Sequence, residues 1–322
     1  MEKNILLKVE NLKKYYSVGK SLFSKPKTLK AIDDISFFIK KGETVSLVGE
    51  SGCGKSTTGK MILKIEEPTA GKIIYDSKDI VGLNKNELKE YRKKVQIIFQ
   101  DPYSSLNPRW KVGQIIGEPL LLSGQDLGDY KDKILEIMDK VGLLKDHYDR
   151  YPHQFSGGQR QRICIARSLI LQPELIVCDE PVSALDVSIQ SQVLNLLLDL
   201  QKEFNLTYLF ISHDLSVVNH ISDRIIVMYL GKIVETGSAE DIMNNPKHPY
   251  TKALLSAVPD LSSAKNREKI LLQGDIPTPL NPPKGCRFST RCPFVKSECS
   301  DIDMKLIEVS DGHYTACPFK TF

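Results

Sequence analysis

Apolar side chains along this chain fall into two patterns. Short runs at Ile5–Val9, Ile35–Ile39, Thr44–Val48, Lys72–Tyr75, Val95–Phe99, Leu175–Cys178, Tyr208–Ile211 and Ile225–Tyr229 predict strands. Several are continuous, as strands covered on both faces require. Between them apolar positions recur at helical spacing, most clearly in Ser188–Phe204, where Ile189, Val193, Leu196, Leu197 and Leu200 share one face. Lys55–Lys64, Val112–Leu122, Tyr130–Val141 and Gln159–Leu171 also fit helices. The alternation predicts an α/β core with a largely parallel sheet and some antiparallel pieces near the N-terminus. The stretch from Glu87 to Gln154 reads as mostly helical, and with the helix that follows it forms a helical subdomain, about 87–171, inserted between core strands. The lysine-rich segment Gly19–Lys30 reads as a solvated loop.

Hydropathy changes this picture in one respect. The longest apolar run, Ile225–Leu230, is six residues, whereas a spanning helix needs about 20. Met1-Glu2-Lys3-Asn4 leads into a strand pattern with no signal-peptide core. The expectation is a cytoplasmic protein, where disulfides are rare. Yet four of the seven cysteines, Cys286, Cys292, Cys299 and Cys317, lie in the last 37 residues, together with an excess of proline from Pro246 onward. The chain therefore divides into a body, 1–245, and a tail, 246–322. The net charge of +4 is too small an excess to predict a nucleic-acid partner.

Gly49-Glu50-Ser51-Gly52-Cys53-Gly54-Lys55-Ser56-Thr57 fits the phosphate-loop pattern between an apolar strand and a helix. Glycines let backbone N–H groups approach phosphate oxygens, and the helix end adds a positive dipole. Lys55 would reach the β- and γ-phosphates of a nucleotide, and Ser56 would hold Mg²⁺. Cys53 at the same helix end is expected to have a lowered pKa, so that alkylating it would block nucleotide binding. Leu175–Glu180 is an apolar strand ending in two carboxylates. Asp179 would hold Mg²⁺ through water and Glu180 would polarise the attacking water, since side chains alternate in direction along a strand. Gln100, after Val95–Phe99, would contact Mg²⁺ and water. His213, after Tyr208–Ile211, would bond the γ-phosphate. Ligands of an open α/β sheet gather at these strand ends.

Phe155-Ser156-Gly157-Gly158-Gln159 opens another helix and makes a second anion-receptive N-terminus. Two such ends in one chain suit head-to-tail pairing of two chains around two nucleotides. At this point the sequence resembles the ATP-binding-cassette ATPases. The loop 49–57, Gln100, the signature 155–159, the strand 175–180, the loop Ser183-Ala184-Leu185-Asp186 and His213 stand in the family's order over roughly residues 5–245. Phe155 replaces the commoner leucine. The resemblance implies a P-loop NTPase core of that type, with ATP and Mg²⁺ as ligands. It also implies adenine stacking on Tyr16, with Tyr15 the off-by-one competitor, and communication across a dimer through Asp186.

His248-Pro249-Tyr250-Thr251, the helical Lys252–Ala257, the segment Gln100–Pro108 and the four-cysteine tail narrow the resemblance to oligopeptide- and dipeptide-type importer ATPases. That implies a peripheral subunit on the cytoplasmic face of the membrane. It would pair with a sister ATPase or a second copy and dock on two permease subunits through Gln100–Leu122, an external solute-binding protein delivering the peptide. The spacing Cys286-x5-Cys292-x6-Cys299-x17-Cys317 lies in a segment with too little apolar content for its own core. Four thiolates around a metal would supply a fold. Zinc and an iron–sulfur cluster both suit thiolates, and the resemblance ranks [4Fe-4S] first. His313 reads as a surface residue, with substitute ligation its other reading, and Cys164 and Cys178 as inert core thiols. Two rival functions fit less well. A soluble cassette ATPase acting on nucleic acid or ribosomes usually carries two cassettes or a coiled-coil insertion, and a small-molecule P-loop kinase leaves the signature 155–159 unused.

Overall fold

The structure, a computed structural model, describes residues 4–19, 27–124, 130–257, 270, 272, 274–275, 277–301 and 304–319. Packing divides the chain into two units. One comprises Leu6–Phe38, Thr44–Val81 and Ser212–Phe322; the other comprises Met1–Ile5, Ile39–Glu43 and Gly82–Ile211.

The first unit carries the phosphate loop. Its strand Thr44–Val48 is buried along its whole length. The two polar positions are satisfied inside: the Thr44 N–H donates to Asp223 at 2.8 Å, and the Ser46 and Ser222 hydroxyls share a bond of 2.5 Å. This strand pairs in parallel with Arg224–Tyr229, which pairs antiparallel with Lys232–Ser238. The tail continues the same sheet. His313–Thr315 pairs antiparallel with Lys232–Ser238, and Ile307–Ser310 forms its outer neighbour. A separate antiparallel sheet has the order Lys27–Lys40, Ile5–Val18, Ala70–Tyr75, Lys78–Asp79. The register of Ile5–Val18 against Ala70–Tyr75 shifts between Glu10 and Lys13, where Asn11 takes φ 47°. The chain from Lys27 to Lys30, expected as loop, is strand; residues 20–26 of that expectation lie outside the described residues.

Two further expectations change here. The main sheet is mixed, because the C-terminal part adds antiparallel strands to it, while the N-terminal antiparallel strands form their own sheet. The tail, expected to have too little apolar content for a core of its own, packs one large apolar side chain inside the unit. Phe288 is fully buried, with its ring 5.3 Å from those of Tyr229 and Tyr250. The tail thus combines apolar surface of its own helix Pro249–Ser256 with surface borrowed from the strand Arg224–Tyr229.

In the second unit the strands Thr207–Ser212, Leu175–Asp179 and Val95–Ile98 lie side by side, all parallel. Around them are the helices Lys85–Lys94, Pro102–Ser105, Val112–Leu122, Lys131–Lys140, Gly157–Leu169 and Val187–Phe204. The helix Val187–Phe204 buries Val193, Leu194, Leu197 and Leu200, so Leu194 takes the place expected of Leu196 on the packed face. The parallel strands place Gln100 and Glu180 just past their carboxyl ends.

Candidate nucleotide site

In the phosphate-loop unit, strand Thr44–Val48 feeds directly into Gly49, whose φ is 148°. A Cβ there would stand 2.2 Å from the Met228 carbonyl oxygen, so only glycine permits this approach. The helix Lys55–Ile62 starts at Gly54 with no side-chain cap. Six of the ten α-helices among the described residues are capped instead: Asn84, Asp101, Ser156, Asp214, Ser238 and His248 each accept a bond from their own first turn. The open helix end at 54–57 is the arrangement an anion requires. Lys55 is buried, and its ammonium donates to the carbonyls of Gly49 at 2.7 Å and Glu50 at 3.2 Å. Ser51 and Gly52 are exposed, and Ser56 and Thr57 are half-buried.

Cys53 departs from expectation. It is 3% exposed, and burial pushes its thiol pKa up, outweighing the nearby Lys55 ammonium. The half-buried Tyr16 hydroxyl donates to Glu66 and hydrogen-bonds Thr57 of the loop, which sets Tyr16 beside the phosphate cradle. Burial and the Glu66 carboxylate raise its pKa to about 12. One face of its ring carries the Lys14 ammonium, 4.9 Å from the centroid. Tyr15, the competitor, donates to Asp33 instead. His213 is exposed, directly after the strand Thr207–Ser212.

The second unit holds the remaining candidates. The Gln100 amide donates to the Glu180 carboxylate at 3.0 Å, joining residues 80 apart in sequence. Glu180 adopts φ 49°, and its N–H bonds the Ile211 carbonyl at 2.9 Å. A non-glycine residue in this left-handed region costs roughly 1 kcal/mol or more, which the neighbouring strand end sustains. Asp179, the last residue of its strand, is half-buried. Ser156 caps the helix Gly157–Leu169 in a reciprocal box with Gln159, the bonds being 3.3 and 3.1 Å. This helix end, expected to be anion-receptive, is closed on itself as it stands. Gly157 and Gly158 follow; a Cβ on Gly158 would meet Ile189 Cγ2 at 2.6 Å, so the signature is glycine where helix Val187–Phe204 packs on it. Asp186 precedes that helix, exposed and without a capping bond.

In the tail the four thiols lie close enough to act on one another. Burial raises the Cys286 pKa to about 11, helped by Cys299, Cys317 and Cys292, and burial and neighbouring thiols also raise Cys292 and Cys317. Among the described residues no three or more His, Cys, Asp or Glu side chains stand in a formed metal cage. The donor set suits a thiophilic metal in kind, while its present arrangement is open. His313 is not on the surface. It is fully buried in the strand His313–Thr315, its Nε2 2.8 Å from Glu235, so it serves this pair rather than the cysteines. Cys164 and Cys178 are buried, with pKa values raised by burial, as inert thiols should be.

Tyr250 of the His248–Thr251 motif and two arginines that local patterns did not single out also stand beside the loop. Tyr250 and Arg291 both bind Glu50, and Arg287 binds Asp33. The signal for the two arginines was the placing of each directly beside a cysteine.

An uncapped helix behind a glycine-pinned loop, and an amide-held carboxylate past a parallel strand, define a P-loop nucleotide hydrolase. The ABC transporter family profile matches residues 32–183, and the chain belongs to this family. The profile described as oligopeptide/dipeptide transporter, C-terminal region, matches residues 234–299. The dipeptide transport ATP-binding protein DppF of Haemophilus influenzae is 54% identical over 318 residues, 98% of this chain and 97% of that protein. The oligopeptide transport ATP-binding protein AppF of Bacillus subtilis is 51% identical over 317 residues, 97% and 96% of the two chains. Among solved structures, the dimeric post-hydrolysis ATP-binding cassette MJ0796 bound to ADP and Pi has a TM-score of 0.64 at 31% identity. That likeness covers 73% of this chain and 99% of MJ0796.

Proposed function

We propose that this chain is the ATP-hydrolysing subunit that powers import of di- or oligopeptides through a membrane permease complex. The observation that carries this reading is the joining, in one chain, of a cassette core at 32–183 with the peptide-transporter C-terminal region at 234–299.

Lys55 and the N–H groups at 49–57 bind the β- and γ-phosphates, and Tyr16 stacks on adenine. Ser56, Asp179 and Gln100 hold Mg²⁺, which when bound neutralises phosphate charge. Glu180 orients the attacking water and His213 bonds the γ-phosphate. The Gln100–Glu180 bond supports these roles, since an amide fixes the carboxylate where water must be aimed. Ser156, Gly157, Gly158 and Gln159 meet the nucleotide of a second ATPase chain, sister or copy, and Asp186 communicates across that pair. This requires the Ser156 hydroxyl to leave its cap.

Residues 1–245 serve as the motor, with 87–171 as its helical subdomain, and 246–322 as the peptide-importer extension. No helix among the described residues is long and apolar enough to cross a membrane. The chain works peripherally on the cytoplasmic face, docked on two permeases that an external solute-binding protein supplies. Tyr103 and Leu122, 65% and 72% exposed, support docking through 100–122. Cys286, Cys292, Cys299 and Cys317 hold a [4Fe-4S] cluster, with zinc the alternative, as a staple of four metal–thiolate bonds. Anaerobic purification with iron, sulfide and zinc analysis separates the two. A chain free of all three removes the metal from the reading.

Glu180→Gln tests the motor. We expect ATP binding to persist, turnover to fall at least a hundredfold (roughly the scale of removing one positioned base), and ATP to trap a dimer. Turnover within a few-fold of the parent removes Glu180 from this role.

A further inference from the structure

Glu50, the second residue of the phosphate loop, is held from two sides by the C-terminal part of the chain. Its backbone N–H donates to the Tyr250 hydroxyl at 2.8 Å. Its carboxylate accepts two bonds from the Arg291 guanidinium, at 2.7 and 3.1 Å. The pair is largely shielded, with side chains 9% and 22% exposed, and it joins residues 241 apart in sequence. Arg291 is itself fixed: its N–H bonds the Phe288 carbonyl at 3.0 Å, and its Nη1 lies 3.4 Å from the Tyr229 hydroxyl. Tyr250 is fully buried, its ring 4.6 Å from Tyr229 and 5.3 Å from Phe288.

Lys55 holds the same turn from inside, through the Gly49 and Glu50 carbonyls. Phosphates compete for that ammonium, and a lysine has only three donors to share. When Lys55 turns to the nucleotide, the restraint at Glu50 passes to Tyr250 and Arg291. We propose that Arg291 is a positioning residue for ATP binding, by which the cysteine tail keeps the phosphate loop in shape once Lys55 engages phosphate. This rests on reading loop 49–57 as the ATP phosphate cradle. A bidentate guanidinium–carboxylate pair suits the task, because it fixes orientation as well as distance.

The test measures affinity of the full-length chain for a fluorescent ATP analogue with Mg²⁺, beside ATPase kinetics. Arg291→Ala is expected to raise Kd about tenfold, with KM rising more than kcat falls. Arg291→Lys, keeping the charge without the fork, is expected to recover part of the loss. Glu50→Gln is expected to match Arg291→Ala, and the double variant to be no weaker than either. If Arg291→Ala fails to fold by near-ultraviolet circular dichroism, Glu50→Gln carries the test with the tail intact. A purely structural defect would reduce the active fraction, and so kcat, without moving Kd. Unchanged Kd in folded variants, or single effects that multiply in the double variant, overturns the proposal. Failure of the unaltered chain to bind the analogue overturns the cradle assignment instead.

Discussion

Replacing Phe288 with alanine asks whether the tail is held by a borrowed core or by its cysteines. Phe288 is fully buried and meets Tyr229 edge-on, with Tyr250 and His248 completing its surroundings. A phenylalanine buries about 150–250 Å², which at about 25 cal/mol/Å² is about 4–6 kcal/mol. Phe→Ala substitutions in cores cost about 3–5 kcal/mol, because neighbours relax only in part. Taking about 4 kcal/mol, the equilibrium for local opening of the tail should shift roughly a thousandfold. The assay is hydrogen exchange read by mass spectrometry on peptides from 284–301 and 307–316. Protein kept reduced and treated with a chelator leaves the cysteines without metal. We expect the tail of Phe288→Ala to exchange two to three orders faster than the parent (about the opening shift above), with the strand Leu175–Asp179 unaffected. If the metal-free parent tail already exchanges at the unprotected rate, and the substitution changes nothing, the borrowed core is refuted.

Two more consequences follow from buried groups. Because burial raises the Cys53 pKa, iodoacetamide at pH 7.5 should modify it far more slowly than a free thiol, as peptide mass mapping would show; rapid stoichiometric labelling contradicts this. Burial lowers the His248 pKa from 6.5 to about 4, against the opposing pull of Glu235. His248 Nδ1 also accepts the Tyr250 N–H at 3.1 Å, a bond that needs the neutral ring. Between pH 6.5 and about 4 the unfolded chain therefore binds a proton that the folded chain refuses. Stability should fall as pH drops through that window, at up to roughly 1.4 kcal/mol per pH unit. Urea midpoints at pH 7, 6 and 5 should fall less steeply in His248→Asn, which keeps a cap acceptor. An equal slope in both proteins removes His248 as the cause.

Local spacing carried most of what was legible. Thr44–Val48 and Val112–Leu122 have the boundaries their patterns predict, since buried strands and amphipathic helices write their periods directly into sequence. The phosphate loop and the carboxylate pair were legible for the same reason. The strand Lys232–Ser238 was not, because its lysine, glutamate, threonine and glycine read as a polar connection. Glu235 is fully buried there only because the backbone N–H groups of Lys247 and His248 and the ring of His313 satisfy it. The same blindness placed His313 on the surface. Local pattern cannot show a polar group whose partners arrive from 12 to 78 residues away.

The two arginines of the tail bear on how its role can be isolated. Arg287, next to Cys286, binds Asp33 and the Leu230 carbonyl, and Asp33 also accepts the hydroxyl of Tyr15, the neighbour of Tyr16. Arg291, next to Cys292, binds Glu50 in the phosphate loop. The segment 286–292 therefore reaches both the strand Lys27–Lys40, at the Asp33 that holds Tyr15, and the phosphate-loop turn at Glu50. Cutting the tail away would strip guanidinium partners from Asp33 and Glu50 together. Leaving a partly buried carboxylate unpaired is more disruptive than never having built the pair. A truncated chain that lost ATP binding would thus report two acids stripped of their guanidiniums, Asp33 keeping only Tyr15 and Lys30, as well as a missing tail. Paired substitutions, Arg291→Ala with Glu50→Gln and Arg287→Met with Asp33→Asn, remove each contact without leaving its charge behind, so they separate the brace at Glu50 from the brace at Asp33.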